Sequence, residues 1–313
     1  MGIACGIAAG ALWGLVFVAP EVASSFSPMM LAAGRYLTYG LFAVALILPA
    51  WRRLAAGLAP RDWLTLAWLS LLGNTLYYVL LANAVQLGGV AMTSLVIGFL
   101  PVAVTIIGSR DQGAVPLRRL APSLLLSAAG VLCIGAETLG KAGAESGGGQ
   151  RLLGLLCAFG ALASWTSFAV GNSRQLARLD RISSHDWSLL IGVVTGVQGL
   201  LLLLPALLLE TGAHTQADWL RYGAVCAGLA LLSSIVGNGL WNQASRLLPL
   251  TMVGQMILFE TLFALLYGFL WEQRGPTLLE SLAVGLVLAS VLSCLAAHRP
   301  SARITTAITA GHE

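Results

Sequence analysis

Two ionisable residues fall inside otherwise apolar runs. Glu260 lies near the middle of LTMVGQMILFETLFALLYGFLW, and Arg35 lies within SPMMLAAGRYLTYG. A charge surrounded by hydrocarbon must face protein or water, so each residue marks either a working site or a paired charge. Three roles are open to Glu260: it carries a coupling proton, binds a substrate ammonium group, or pairs with a neighbour. Arg35 is its candidate charge partner. Alternatively, the Arg35 guanidinium binds a substrate carboxylate in bidentate fashion, or its long stem snorkels outward.

Uncharged polar residues form a second set. Asn74, Tyr77 and Tyr78 share one helical face, and Asn238, Trp241 and Asn242 share another. Lipid offers such groups no partner, so both faces point inward, towards a cavity or towards hydrogen bonds between helices. Trp13 and Trp165 sit in the middle of apolar runs. Aromatic groups beside a few polar atoms suit a pocket for an amino acid or a planar heterocycle. Trp63, Trp187, Trp219 and Trp271 sit at the ends of runs and fit an interfacial aromatic belt.

Other chemistries lack their residues. His185, His214, His298 and His312 fall in loops or the tail, with no HExxH spacing, so no metal site is expected. Cys5, Cys133, Cys157, Cys226 and Cys294 lie in apolar stretches without a CxxC and fit small packing residues. No Walker motif is present, and no membrane-embedded catalytic constellation either, so neither an ATP-driven machine nor an enzyme is expected. No cofactor is implied. The net charge of +4 comes from basic residues scattered through short loops, which does not indicate nucleic acid.

The elements that position these residues must lie in a membrane. Hydrophobic residues make up 58% of the 313, charged residues only 10%, and the mean hydropathy is +0.85. A soluble domain carries roughly a quarter charged residues. A membrane helix needs about 20 apolar residues. Ten such spans are expected, at 3–20, 29–50, 63–83, 90–108, 118–137, 152–172, 187–209, 219–241, 251–271 and 279–297. The first run lacks a charged leader and a cleavage site, so it reads as a retained helix and not a signal peptide. Residues 138–151, TLGKAGAESGGGQR, read as a flexible linker, and 299–313 as a disordered cytoplasmic tail.

The loops test this division. One alternate set holds Arg52, Arg53, Arg61, Arg110, Arg118, Arg119, Arg174, Arg178, Arg181, Arg246, Arg299 and Arg303. The other holds only Lys141, Arg151, Arg221 and Arg274. A bias of twelve to four places both termini in the cytoplasm by the positive-inside rule.

The chain also repeats itself. Setting Trp13 on Trp165 puts Cys5 on Cys157 and Gly2 on Gly154, at an offset of 152. At an offset of 160, Asn83-Ala84 meets Gln243-Ala244 and Gly108 meets Gly268. The unit is five helices, 1–137 and 152–298. Five is odd, so the second copy enters from the opposite side, which gives an all-α membrane protein of two inverted repeats. Many secondary transporters alternate access around a midplane site in this way.

The stretch ALWGLVFVAP followed by SPMMLAAGRYLTYG resembles the opening of an EamA-type domain of the drug/metabolite transporter superfamily. Trp13, Gly14, Pro28 and Arg35 stand at its motif positions. VAMTSLVIGFLPVAVTI is similar to the family's fourth helix, with Pro101 as its proline. LTMVGQMILFETLFALLYGFLWEQ resembles the ninth, although Thr261 replaces the proline expected after Glu260. GRYLTYG is most similar to the YddG-like amino-acid exporter branch. The resemblance implies a ten-helix basket with a central cavity, exporting amino acids or related metabolites. Proton exchange is the expected driving step, and the Leu/Ala/Gly/Arg-rich usage of the chain fits a bacterial cytoplasmic (inner) membrane. Import, or carriage of drugs, nucleobases or sugars, is the alternative, and a channel a more distant one. The partners implied are a small-molecule substrate and the lipid bilayer, and a monomer is compatible with all of this.

Overall fold

The computed structural model describes residues 1–23, 25–111, 113–141, 148–179, 181–210, 212–271 and 273–298. Among these residues the chain is helical throughout, with no strand. Helix α1 (Gly2–Gly14) runs through a 3-10 turn into the short α2 (Ala19–Val22). Helix α3 (Pro28–Ile47) ends in a 3-10 turn and the short α4 (Trp51–Gly57). Helix α5 (Pro60–Ser70) continues through a π-helical segment, Leu71–Thr75, into α6 (Leu76–Ile97). Helices α7 (Leu100–Gly108) and α8 (Leu117–Lys141) follow. The remainder comprises α9 (Gly148–Arg178), α10 (Ser184–Leu209), α11 (Gln216–Leu229), a second π-helical segment at Ala230–Gly237, α12 (Asn238–Leu247), α13 (Leu250–Met256), α14 (Leu258–Trp271) and α15 (Leu278–Ala297).

The helix starts follow local chemistry. Pro28 opens α3 behind Ser27, whose Oγ accepts the Met30 N–H at 3.2 Å. Ser183 does the same for Asp186 at 2.9 Å. Thr215 with Asp218, and Thr277 with Glu280, form reciprocal capping boxes. Pro249 ends α12 and caps α13, because the residue before a proline is pushed out of helical geometry.

Seven helical stretches among the described residues are long and apolar enough to cross a membrane, and Gly2–Gly14 is a shorter apolar helix. Their outer faces are oily: Leu41 is 70% exposed and Leu201 75%. Such a surface requires lipid.

Two expectations change. A break at 84–89 was expected between two spans, yet the helical pattern runs unbroken over Leu76–Ile97. That run is not straight. Ala84 and Val96 would lie about 18 Å apart along a straight helix, but both belong to one buried cluster with Ala158. The run therefore bends between them. Residues 138–141 and 148–151, expected as linker, are helical. Residues 142–147, the tail 299–313 and Glu272 lie outside the described residues.

The most extensive helix pairs join the two halves of the sequence: α3 with α10, α6 with α9, α8 with α15, α7 with α13, and α1 with α12 and α14. The halves interdigitate and share one main core. Small residues let backbones approach. Gly6, Gly10 and Gly14 of α1 face Met256, Phe259-Glu260 and Phe263-Ala264, and a Cβ on Gly10 would stand 2.8 Å from the Glu260 backbone nitrogen. Tyr267 adds a hydrogen bond to the Ala11 carbonyl at 3.1 Å. Deeper in the fold, Ser290 donates to the Gln255 side chain at 3.0 Å and shares a hydrogen bond with Ser127 at 2.8 Å, tying α13, α15 and α8.

Candidate functional site

Three tryptophans from three helices meet at the centre of the bundle. The ring centroids of Trp13 (α1) and Trp241 (α12) lie 5.0 Å apart, those of Trp165 (α9) and Trp241 5.8 Å, and those of Trp13 and Trp165 6.2 Å with planes near perpendicular. Tilted and edge-on pairs of this kind are the favoured aromatic geometries. Trp13 Nε1 donates to the Ser233 carbonyl at 3.1 Å and to Asn238 Oδ1 at 3.2 Å. Trp241 Nε1 is buried and has no acceptor among the described residues.

The π-helical segments explain how Trp13 finds a backbone carbonyl. Their wider pattern disturbs the usual ladder, which is why such segments recur at functional sites. Ser233 lies in the second segment, and its own Oγ donates to the Leu12 carbonyl at 2.7 Å. In the first segment the Leu72 carbonyl accepts from Ser164 Oγ at 2.8 Å. Shifting 71–75 by the repeat offset of 160 lands inside Ala230–Gly237. Each segment is thus tied to the helix that carries a central tryptophan.

Beside the tryptophans lies a polar and charged region. Arg35 Nε donates to Ser234 Oγ at 3.3 Å, and its guanidinium stands 5.7 Å from the Tyr36 ring centre. Tyr36 packs edge-on to Tyr78 at 6.1 Å and donates to the Asn74 carbonyl at 3.4 Å. Asn74 Nδ2 donates to Thr195 Oγ1 at 3.1 Å. Glu260 stands in the first turn of α14, just past the break at Ile257. The helix N-terminus favours an anion there. Its side chain keeps partial exposure, as do those of Arg35, Tyr77 and Tyr78.

The sequence-derived candidates divide. Trp13, Trp165, Trp241 and Asn238 come together as one cluster. Arg35, Tyr77, Tyr78, Asn74 and Glu260 gather beside it. Arg35 and Glu260 form no ion pair: among the described residues no contact within 4.0 Å joins them, because Arg35 turns to Ser234. Asn242 belongs elsewhere. It accepts a buried hydrogen bond from Asn172 Nδ2 at 2.8 Å, and Asn172 in turn accepts from Trp187 Nε1 at 2.8 Å. Trp187 is therefore no belt residue; it is fully buried because that chain needs its N–H. Trp219 and Trp271 are 44% and 54% exposed.

Sequence reasoning missed Tyr36, Ser234 and Thr195. Tyr36 adjoins Arg35 in the chain, and Ser234 lies one helical turn before Asn238, so proximity to known candidates was the available signal. Nothing in the sequence marks Thr195 as the partner of Asn74.

Comparison with known proteins agrees with this architecture. A family model described as "EamA-like transporter family" matches residues 1–136 and 152–295. The chain is 31% identical to a protein of Escherichia coli (strain K12) described as "Inner membrane protein YtfF", over 98% of each chain. A solved structure described only as "Crystal structure of protein" superposes with a TM-score of 0.71 at 18% identity, covering 94% of this chain and 98% of the other, which establishes likeness of fold. Two family matches flank the middle of the chain, and the relative matches almost end to end: the chain belongs to the EamA-like transporter family and is a membrane transporter.

Proposed function

We propose that this protein is a secondary active exporter of small metabolites, amino acids above all, coupled to protons. The observation that carries this reading is the state of Arg35 and Glu260. Two opposite charges within the bundle keep part of their surface accessible, yet no contact within 4.0 Å joins them among the described residues. A zwitterion brings a carboxylate for the guanidinium and an ammonium for the glutamate. The tryptophans and Tyr77 and Tyr78 supply an apolar wall for its side chain. When no substrate is bound, Glu260 carries the proton that exchanges for it.

The architecture we infer has ten spans in two inverted five-helix repeats around a central cavity. It is supported by pairing between the halves and by the matched π-helical segments. The charge bias of the loops supports cytoplasmic termini. The relative from E. coli is described as an inner membrane protein, and this chain takes the same location.

The test is efflux from cells loaded with a mixed amino-acid and metabolite pool. Selective release of amino acids, lost in Glu260→Gln, supports the whole reading. Release of nucleobases, sugars or drugs alone replaces the substrate class, and release of nothing above the empty vector overturns it.

A further inference from the structure

A cavity of about 500 Å³ lies away from the tryptophans, between the first turns of α5 and the last turns of α9. That size suits a small ligand or a headgroup. Arg61 and Thr65 line it from α5, and Arg174, Gln175 and Arg178 from α9. Its acidic lining residue, Asp62, and the nearby Asp111 are already engaged. Asp62 accepts from the buried Gln175 Nε2 at 3.0 Å with one oxygen and from the Ala59 N–H at 3.0 Å with the other. Asp111 holds Arg174 at 2.6 Å. The guanidinium groups of Arg61 and Arg178 are exposed and have no hydrogen bond or ion pair among the described residues. The cavity therefore offers two free arginines to an anion.

Two observations set its depth and its neighbours. Trp51 and Trp63 meet at 5.8 Å beside the start of α5, at the position of an interfacial aromatic pair. On the same α5 face as Arg61, three and seven residues on, Leu64 is 72% exposed and Trp68 57%. An apolar strip thus leads from the arginines into the bilayer. We propose that this cavity binds the phosphate of an anionic phospholipid, with Arg61 and Arg178 on the phosphate and an acyl chain along Leu64 and Trp68. Arginine forks match phosphate oxygens, and basic pockets at helix ends hold lipid headgroups. A free phosphate ion would use the arginines and leave the apolar strip unused.

The test titrates phosphatidylglycerol, phosphatidylcholine or inorganic phosphate into purified full-length protein in detergent, with bound ligand counted by native mass spectrometry. Phosphatidylglycerol should bind at least tenfold tighter than phosphatidylcholine, and millimolar phosphate should not displace it. Arg61→Gln/Arg178→Gln should weaken phosphatidylglycerol about 30-fold, roughly a factor of five per arginine. Arg118→Gln/Arg119→Gln, which removes two arginines outside the cavity, should bind like wild type. Thr65→Trp, which fills the cavity and keeps both arginines, should lose binding as the double variant does. Equal loss in the two arginine pairs, or full binding in Thr65→Trp, overturns the cavity as the site. Displacement by phosphate at its own matching affinity overturns the lipid.

Discussion

A Cβ added to Gly40 would stand 2.5 Å from the Cα of Gly196, and a Cβ added to Gly196 would stand 2.5 Å from the Cα of Gly40. Helices α3 and α10 therefore cross backbone against backbone, at a point that looks the same from either side. Any side chain there must push the helices apart. Gly40→Val is expected to cost about 3 kcal/mol, the upper range of overpacking, read as a lower midpoint of thermal unfolding in detergent. Gly285→Ala meets nothing within 4 Å and should leave that midpoint unchanged or raise it.

The central tryptophans should separate structure from binding. Trp13→Phe deletes the hydrogen bonds to the Ser233 carbonyl and the Asn238 oxygen. It should destabilise by about 1–3 kcal/mol. Trp241→Phe deletes an N–H that has no acceptor among the described residues, so it should cost less stability than Trp13→Phe. If that N–H serves substrate, its loss appears as a raised KM for efflux at normal expression; unchanged KM removes Trp241 from the binding site.

Glu260→Gln keeps the shape of the side chain and removes its ability to ionise. Exchange driven by a pH gradient should disappear, while substrate binding falls modestly. Arg35→Gln should do the reverse, weakening affinity for substrates with a carboxylate more than for their amides. Vesicle uptake measured with and without a pH gradient distinguishes the two. A gradient effect that survives Glu260→Gln moves the proton to another residue.

Asn172 is the middle of a buried chain from Trp187 to Asn242. Asn172→Leu leaves a donor and an acceptor buried without partners. Each such group costs about 1–3 kcal/mol, so this variant should fold poorly, with a large loss of monodisperse protein on gel filtration. Normal yield and stability would mean that the chain contributes little.

At the opposite end from the arginine-rich loops, Glu210 accepts from the Ser27 N–H at 3.0 Å and meets His214 at 3.2 Å, while His214 stacks on Phe26 at 4.0 Å. Burial pushes the Glu210 carboxyl up, but the Ser27 and His214 contacts outweigh it and hold the group below the ordinary carboxylate range. A depressed value means that its stabilisation is complete above the unfolded pKa, about 4.3 for glutamate, and is lost as pH falls through the lower folded value. Wild type should keep this part of its stability from pH 7 to 5 and lose it below about 4. Glu210→Gln should show less of that acid-side loss in thermal scans; an identical acid profile contradicts the assignment.

The sequence carried some of this well. Helices α3 and α15, which open behind Ser-Pro and Thr-x-x-Glu, begin within a residue of where the apolar runs place them. Local signals of this kind act over one turn and need no partner. The π-helical segments had no such signal, since an extra residue in a turn leaves the apolar count unchanged. The burial of Trp187 was hidden because its acceptor, Asn172, lies 15 residues away on another helix. The unpaired state of Arg35 and Glu260 depends on Ser234, a residue with nothing distinctive about it in one dimension. One readable signal was passed over: glycines at 2, 6, 10 and 14 form a four-residue ladder that predicts tight packing of the first helix.

The tryptophan trio also has an optical consequence. Indoles with centroids 5.0 to 6.2 Å apart share their excited states. The near-ultraviolet circular dichroism of the protein should therefore contain a coupled band that none of the three rings gives alone. Because the rings are borne by α1, α9 and α12, helices from both halves of the chain, the amplitude of that band follows their separation. The transporter thus holds an unlabelled gauge of its own conformation at its centre, readable in solution as the helices move.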